Sequence, residues 1–224
     1  MDQKSLRPAR DFAIQFGVKS VIYGAPGSGK TPIINTAPRP LLLACEPGLL
    51  SMRNSSVPTY LGYEAKSIDD FFAWFFNSAE TKNFDTIAVD SISQMSDIYL
   101  KDAMKHNKHG LKAYGEMATR TMEHLTGLYY TRYKHTYLIA KETMIDDNGT
   151  RIRHPYFTGQ QLNVDVAHMY DAILHLGIHN VPSVGQIKAF RCQASIDTLA
   201  RDRTGLLAEF EPPDFGAIVR KCMQ

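Results

Sequence analysis

The chain has 224 residues, 44% of them hydrophobic and 21% charged, and its 25 Lys and Arg against 23 Asp and Glu leave a net charge of +2. That is the composition of an ordinary globular chain with one sizeable core, and it excludes a surface basic enough all round to hold a polyanion, so any nucleic-acid site must be local. The longest aromatic run, Phe71-Phe72-Ala73-Trp74-Phe75-Phe76, is far too short to span a bilayer, the amino terminus lacks a signal-like apolar segment, and Cys45, Cys192 and Cys222 are scattered and odd in number, so no membrane partner and a reducing cytoplasm are expected.

Residues 1–17 read as an amino-terminal segment and 18–224 as a single domain. The β-rich run Val18-Lys19-Ser20-Val21-Ile22-Tyr23 stops where Gly24-Ala25-Pro26-Gly27-Ser28-Gly29-Lys30-Thr31 fits G-x-x-x-x-G-K-[ST], the P-loop pattern. In that pattern glycines let backbone N–H groups turn inward around phosphate oxygens, Lys30 reaches the β- and γ-phosphates, and the Thr31 hydroxyl ligates Mg2+. The residues that follow can start a helix, with Pro32 tolerated in its first turn. Strand, loop and helix therefore come in the order a nucleoside triphosphate site requires, which sets the motif apart from a Gly-rich surface turn.

Further along, Pro40 to Cys45 reads as a second buried strand with Glu46 at its carboxyl end, the candidate base for hydrolysis; a solvated loop glutamate is the alternative. A helix over 67–79 packs the aromatic run into the core. Strand 85–90 ends at Asp90, a Walker B carboxylate positioned to hold Mg2+ hydration opposite Thr31, or else an N-cap for a helix beginning near Ile92. Two helical stretches reach to about Tyr133, with Tyr129 to Tyr133 packing on the sheet. Strand 136–141 comes next, then a polar loop over 146–161, a short helix near 160–168, and β-rich runs at 171–178, 185–194 and 196–200. This alternation predicts an α/β fold, a mostly parallel sheet flanked by helices with a late antiparallel hairpin. His106 with His109, and His175 with His179, have ligand-like gaps, but no cysteine pair completes a tetrahedral zinc set.

The P-loop, the strand ending in Glu46, the strand ending in Asp90-Ser91 and the late hairpin come in the order of the RecA-like P-loop NTPase core, and Thr86-Ile87-Ala88-Val89-Asp90-Ser91 is similar to the Walker B strand of RecA-like ATPases. From about Ser20 to Leu207 the chain resembles the short, phage-encoded AAA-type NTP-binding proteins regarded as minimal RecA-like single-strand annealing recombinases, through Tyr114-Gly115, Tyr170-Asp171-Ala172-Ile173-Leu174 and Arg203-Thr204-Gly205. The resemblance implies ATP and Mg2+ as cofactors, with residues 24–31, Asp90 and Ser91 at the nucleotide, Lys30 and Glu46 catalytic, and Lys141 where relatives carry a His or Gln sensor. Arg201 and Arg203 resemble a basic finger that reaches the nucleotide of a neighbouring subunit, which implies self-assembly into a ring or filament. Single-stranded DNA falls to two stretches, Lys105, Lys108 and Lys112 after Walker B, and Arg151, Arg153 and Tyr156 in the polar loop, since single strands need cations beside stacking rings. A single-strand-binding protein is a further expected partner, and the host cytoplasm the expected compartment. Other readings of the same motifs are a P-loop nucleotide kinase, a RecA-like helicase-type motor and a non-hydrolysing nucleotide-dependent interaction module.

Overall fold

A computed structural model describes Leu6, residues 8–182 and residues 184–224. In chain order the elements are α1 (Ala9–Ala13), β1 (Lys19–Tyr23), β2 (Pro40–Ala44), β3 (Thr59–Leu61), α2 (Ala65–Asn77), β4 (Thr86–Asp90), α3 (Ile92–Met104), α4 (Gly110–Tyr130), β5 (His135–Asp147), β6 (Thr150–Tyr156), α5 (Gln160–Met169), β7 (Ala172–Val181), β8 (Gly185–Arg191), β9 (Arg201–Asp202), β10 (Phe210–Glu211) and α6 (Phe215–Cys222). They build one sheet in the order β10-β8-β7-β1-β5-β4-β2-β3, with β6 added to β5 and β9 to β7. From β3 to β7 every neighbouring pair is parallel, while β8, β9 and β10 run antiparallel to their neighbours. This is the fold class the alternation of elements predicts. Among the described residues no helix is long and apolar enough to cross a membrane.

The strand β1 is buried along its whole length, as a central parallel strand covered on both faces must be. Its side chains alternate between two core layers. Val21 and Tyr23 join Ile87, Val89, Leu138 and Ile173 in the layer packed against α2 to α5, whereas Ile22 joins Ala88, Tyr137, Ile139 and Leu174 in the layer packed against α6 and a 3-10 turn at Thr31–Thr36. The aromatic run lies in α2, where Ile68, Phe71, Phe72 and Phe75 are buried. Three- and four-residue spacing puts these rings on one helical stripe facing the sheet.

Several expectations need correction. The polar loop over 146–161 is instead an antiparallel hairpin, because β5 does not stop at Lys141 but runs on to Asp147 and pairs with β6 from Lys141↔Tyr156 to Asp147↔Thr150. Asn148 and Gly149, both at positive φ, make the turn. The run 196–200 forms no strand, only isolated bridges at Thr198. The second of the two helices ends at Tyr130, and Tyr133 takes a positive φ. The turn after the P-loop is a six-residue 3-10 segment. Other elements not anticipated are α1, β3, β9, β10 and α6. The strand β3 is exposed at all of its positions and therefore shows no alternation. The helix α6 does carry a signal, with Asp214 accepting from the N–H of Ala217 as its N-cap and Phe215, Ile218 and Val219 buried at helical spacing.

At the amino-terminal end of the sheet the helix carbonyls are closed by cations. Lys19 is fully buried, and its Nζ donates to the carbonyls of Leu128, Thr131 and Lys134 at 2.9 Å each, where α4 ends. Burial lowers its ammonium to about 7, with Asp171 pulling the other way. Lys134 likewise donates to the carbonyls of Thr81 and Phe84.

Candidate nucleotide site

The P-loop leaves β1 at the carboxyl end of the sheet, between the ends of β5 and β7, since Tyr23 pairs with Ala140 on one side and His175 on the other. Gly24 is needed there because a Cβ would fall 2.2 Å from the carbonyl oxygen of Leu176. Ala25, Pro26 and Gly27 are exposed, and a bond from the Ser28 N–H to the Ala25 carbonyl at 3.1 Å tightens the loop. Lys30 folds back over it, donating to the carbonyls of Gly24 at 2.7 Å and Ala25 at 3.0 Å. Its own carbonyl accepts from the Tyr137 hydroxyl at 2.9 Å. Burial lowers the Lys30 ammonium, against the pull of Asp90, Glu142 and Glu46.

Facing Lys30 stands a cluster set by strand register. Parallel pairing of Ala44 with Asp90 brings the ends of β2 and β4 level, so that Glu46 and Asp90 share one cavity of about 450 Å3 with Gly24, Lys30, Thr31 and Ser91. The Thr31 hydroxyl donates to Asp90 Oδ2 at 2.6 Å. Burial pushes the Asp90 carboxyl up; the Thr31 bond lowers it, Glu46 adds to the rise and Lys30 opposes it. Ser91, joined to Asp90 by a cis peptide, donates to Glu46 Oε1 at 2.6 Å and caps α3 by accepting from the Gln94 N–H at 3.1 Å. Ser91 thus holds Glu46 in place.

A hydroxyl and a carboxylate oxygen 2.6 Å apart beside a phosphate loop are hard oxygen donors suited to Mg2+. Thr31 and Asp90 would hold the ion, directly or through its water shell, and when bound it neutralises charge on the phosphates.

The remaining expected residues divide sharply. Lys141 borders the same cavity, but its Nζ donates to Gln94 Oε1 at 3.0 Å and lies 3.6 Å from Asp97. Arg201 donates to the carbonyls of Ala167 and Tyr170, and Arg203 to those of His168 and Met169, with Asp171 at 3.3 Å. Both arginines therefore close the end of α5, at the amino-terminal end of β7, and take no part in the P-loop of their own chain. Of the expected DNA contacts, Arg153 is bound to Asp197. Lys105 pairs with Asp102 at 3.1 Å, whereas Lys108, Lys112, Arg151 and Tyr156 are exposed.

Two residues that the sequence reading left without a role in this site also belong here. Glu142, next to Lys141, borders the P-loop cavity and accepts from His175 Nε2 at 2.9 Å; His175 is only 6% exposed and packs on Tyr23. Burial lowers the imidazole, with Glu142 opposing, and Nδ1 has no partner among the described residues. The only hint was that both lie on or just after the β-rich runs that become the strands flanking β1.

A P-loop lysine, a Thr–Asp pair and a carboxylate one strand over, on a mostly parallel sheet that turns antiparallel late, define a P-loop ATPase with a RecA-like core. The chain belongs to the AAA_24 family, an AAA domain, whose profile matches residues 17–204. No curated protein matches it. Among solved structures it is similar to a KaiC-like protein from the hyperthermophilic archaeon Pyrococcus horikoshii OT3, at 10% identity and a TM-score of 0.42, over 79% of this chain and 78% of that one.

Proposed function

We propose that the protein is an ATP-hydrolysing, single-stranded-DNA-binding protein of RecA type that acts in annealing or strand exchange, with a neighbouring subunit completing its nucleotide site. The observation that carries the hydrolytic part is the Ser91 bond that fixes Glu46 beside Asp90 and Lys30. Glu46 takes a proton from water as the water oxygen bonds to the γ-phosphorus, and the bond to the bridging oxygen breaks to release ADP. Lys30 leaves the Gly24 and Ala25 carbonyls to meet the phosphates, where its charge is better matched.

Support for the DNA part comes from the β5–β6 hairpin. It begins at Lys141 and Glu142 in the cavity and ends at an exposed tip carrying Arg151, with Tyr156 exposed at its base. A strand laid along it would meet a cation and a ring. With Arg153 bound to Asp197 and Lys105 to Asp102, the expected contacts that keep an unpaired cation among the described residues are Arg151 there, Lys108 just before α4 and Lys112 in its first turn. A trans-acting finger falls to Arg203, which is exposed, ahead of the half-buried Arg201.

The test is ATP hydrolysis with and without single-stranded DNA, in the wild type and in Lys30→Ala, Glu46→Gln and Arg203→Ala. Stimulation by DNA that all three substitutions abolish supports the whole reading. DNA-independent turnover that survives Arg203→Ala sinks the DNA and trans-subunit parts and brings a nucleotide kinase forward.

A further inference from the structure

Beside the P-loop cavity lies a second, larger one of about 790 Å3, walled by Ala25 to Ser28 on one side and by the β7–β8 hairpin on the other. It lies where β5 and β7 both continue past the end of β1 as antiparallel hairpins. Three cations line it, Arg153, Arg191 and Lys188. Arg153 is bound to Asp197 and Arg191 to Glu209 at 2.7 Å, whereas among the described residues Lys188 has no carboxylate partner.

Strand geometry explains where Lys188 points. Phe190, two residues on and so on the same face of β8, is buried in the layer that also holds Ile22, Ile33, Ile34 and Leu176, beneath the turn that follows the P-loop. Lys188 leaves the strand on that face, opposite Ile178, just above the core. Its ammonium comes to rest over Gly29, where a Cβ would fall 2.7 Å from Nζ. Gly29 also takes φ +86, so glycine there supplies both the backbone shape and the room for the ammonium.

An exposed ammonium without a counter-charge, held on the loop whose backbone cradles the α- and β-phosphates, lacks one thing, an anion. We infer that Lys188 is a second phosphate-binding cation of the nucleotide site, supplied in cis by the late hairpin and directed at the diphosphate part of the nucleotide, where Lys30 reaches toward the γ-phosphate. This assignment rests on the nucleotide-binding reading above. It gives β8 a direct part in sensing an occupied loop.

The measurement is calorimetric binding of Mg–ADP and Mg–ATP to the wild type, Lys188→Met, Lys188→Arg and Lys30→Ala. Lys188→Met should weaken ADP and ATP by the same factor, about tenfold for a lost charge-assisted bond. It should flatten the salt dependence of ADP binding and leave the melting temperature in place, while Lys188→Arg restores most of the affinity. Unchanged ADP affinity in Lys188→Met overturns the inference, as does a loss confined to ATP or one that arginine does not rescue. A wild type that binds neither nucleotide removes the nucleotide reading itself, and this inference with it. Loss of binding in Lys30→Ala alone leaves that reading standing and rejects only Lys188.

Discussion

The two ends of the sheet use the same kinds of side chain for opposite purposes. At the amino-terminal end Lys19, Lys134, Arg201 and Arg203 each donate to two or more backbone carbonyls, so the carbonyls at the ends of α4 and α5 are satisfied, although the buried Nε of Arg201 finds no partner among the described residues. At the carboxyl end Lys30 rests on loop carbonyls, and among the described residues Lys188 has no carboxylate partner and the Asp90 and Glu46 carboxylates accept only from hydroxyls. One end is electrostatically closed and the other is left unbalanced. Lys19 and Lys30 both rest on backbone carbonyls, and what sets Lys30 apart is the cavity that it shares with Asp90 and Glu46.

The contrast breaks most visibly at Glu46. Glu46→Gln keeps an acceptor for Ser91 but removes the base, and phosphate release should fall by about 10²–10⁴-fold with the fold intact by circular dichroism. A smaller fall would move the base elsewhere. At the closed end Lys19→Met should leave three carbonyls without a donor and lower unfolding stability by about 3 kcal/mol in a urea titration, with ADP affinity unchanged.

His135 sharpens the same point through pH. Its Nδ1 accepts from the Val18 N–H at 3.0 Å, and burial, helped by Lys19, lowers the imidazole from its ordinary 6.5 to about 4. Because the folded value lies below the unfolded one, the unfolded chain binds more protons between them. Stability is therefore complete above pH 6.5 and falls as the solution is acidified toward pH 4, by up to about 3 kcal/mol. His135→Gln should flatten that part of the profile in pH-dependent denaturation.

The smallest effect separates the two arginines. Arg201→Ala should cost about 1–3 kcal/mol, since its donors serve α5 carbonyls in a half-buried setting, and Arg203→Ala less than about 1 kcal/mol at its exposed position. If Arg203→Ala nonetheless abolishes hydrolysis at unchanged stability, the residue acts across a subunit boundary.

Sequence pattern was most informative where the chain is buried and regular. The P-loop, the strands ending at Asp90 and Glu46, and the aromatic stripe of α2 were all readable, because burial on both faces demands unbroken apolar runs. What escaped was pairing that burial does not impose. Residues 141–156 look polar because their hairpin is largely exposed, so neither the length of β5 nor the capture of Arg153 by Asp197 left a trace. Spacing carries no information about which carbonyls lie within reach, so the bonds of Arg201 and Arg203 to the end of α5 left no trace either. Glu142, His175 and Lys188 come together only through the order of β5, β1, β7 and β8, which no local pattern records.

The unbroken course of β5 also sets a rule of parity for the arm it builds. Seven residues past the sheet, at about 3.3 Å each, carry the tip roughly 20 Å beyond the phosphate loop. Because successive residues face opposite sides, adding one residue to each limb at the Asn148-Gly149 turn would lengthen the arm yet place the turn on the other face, while two in each limb would preserve it. Its reach can thus vary between homologous chains only in steps of about 7 Å without changing the side that the tip presents.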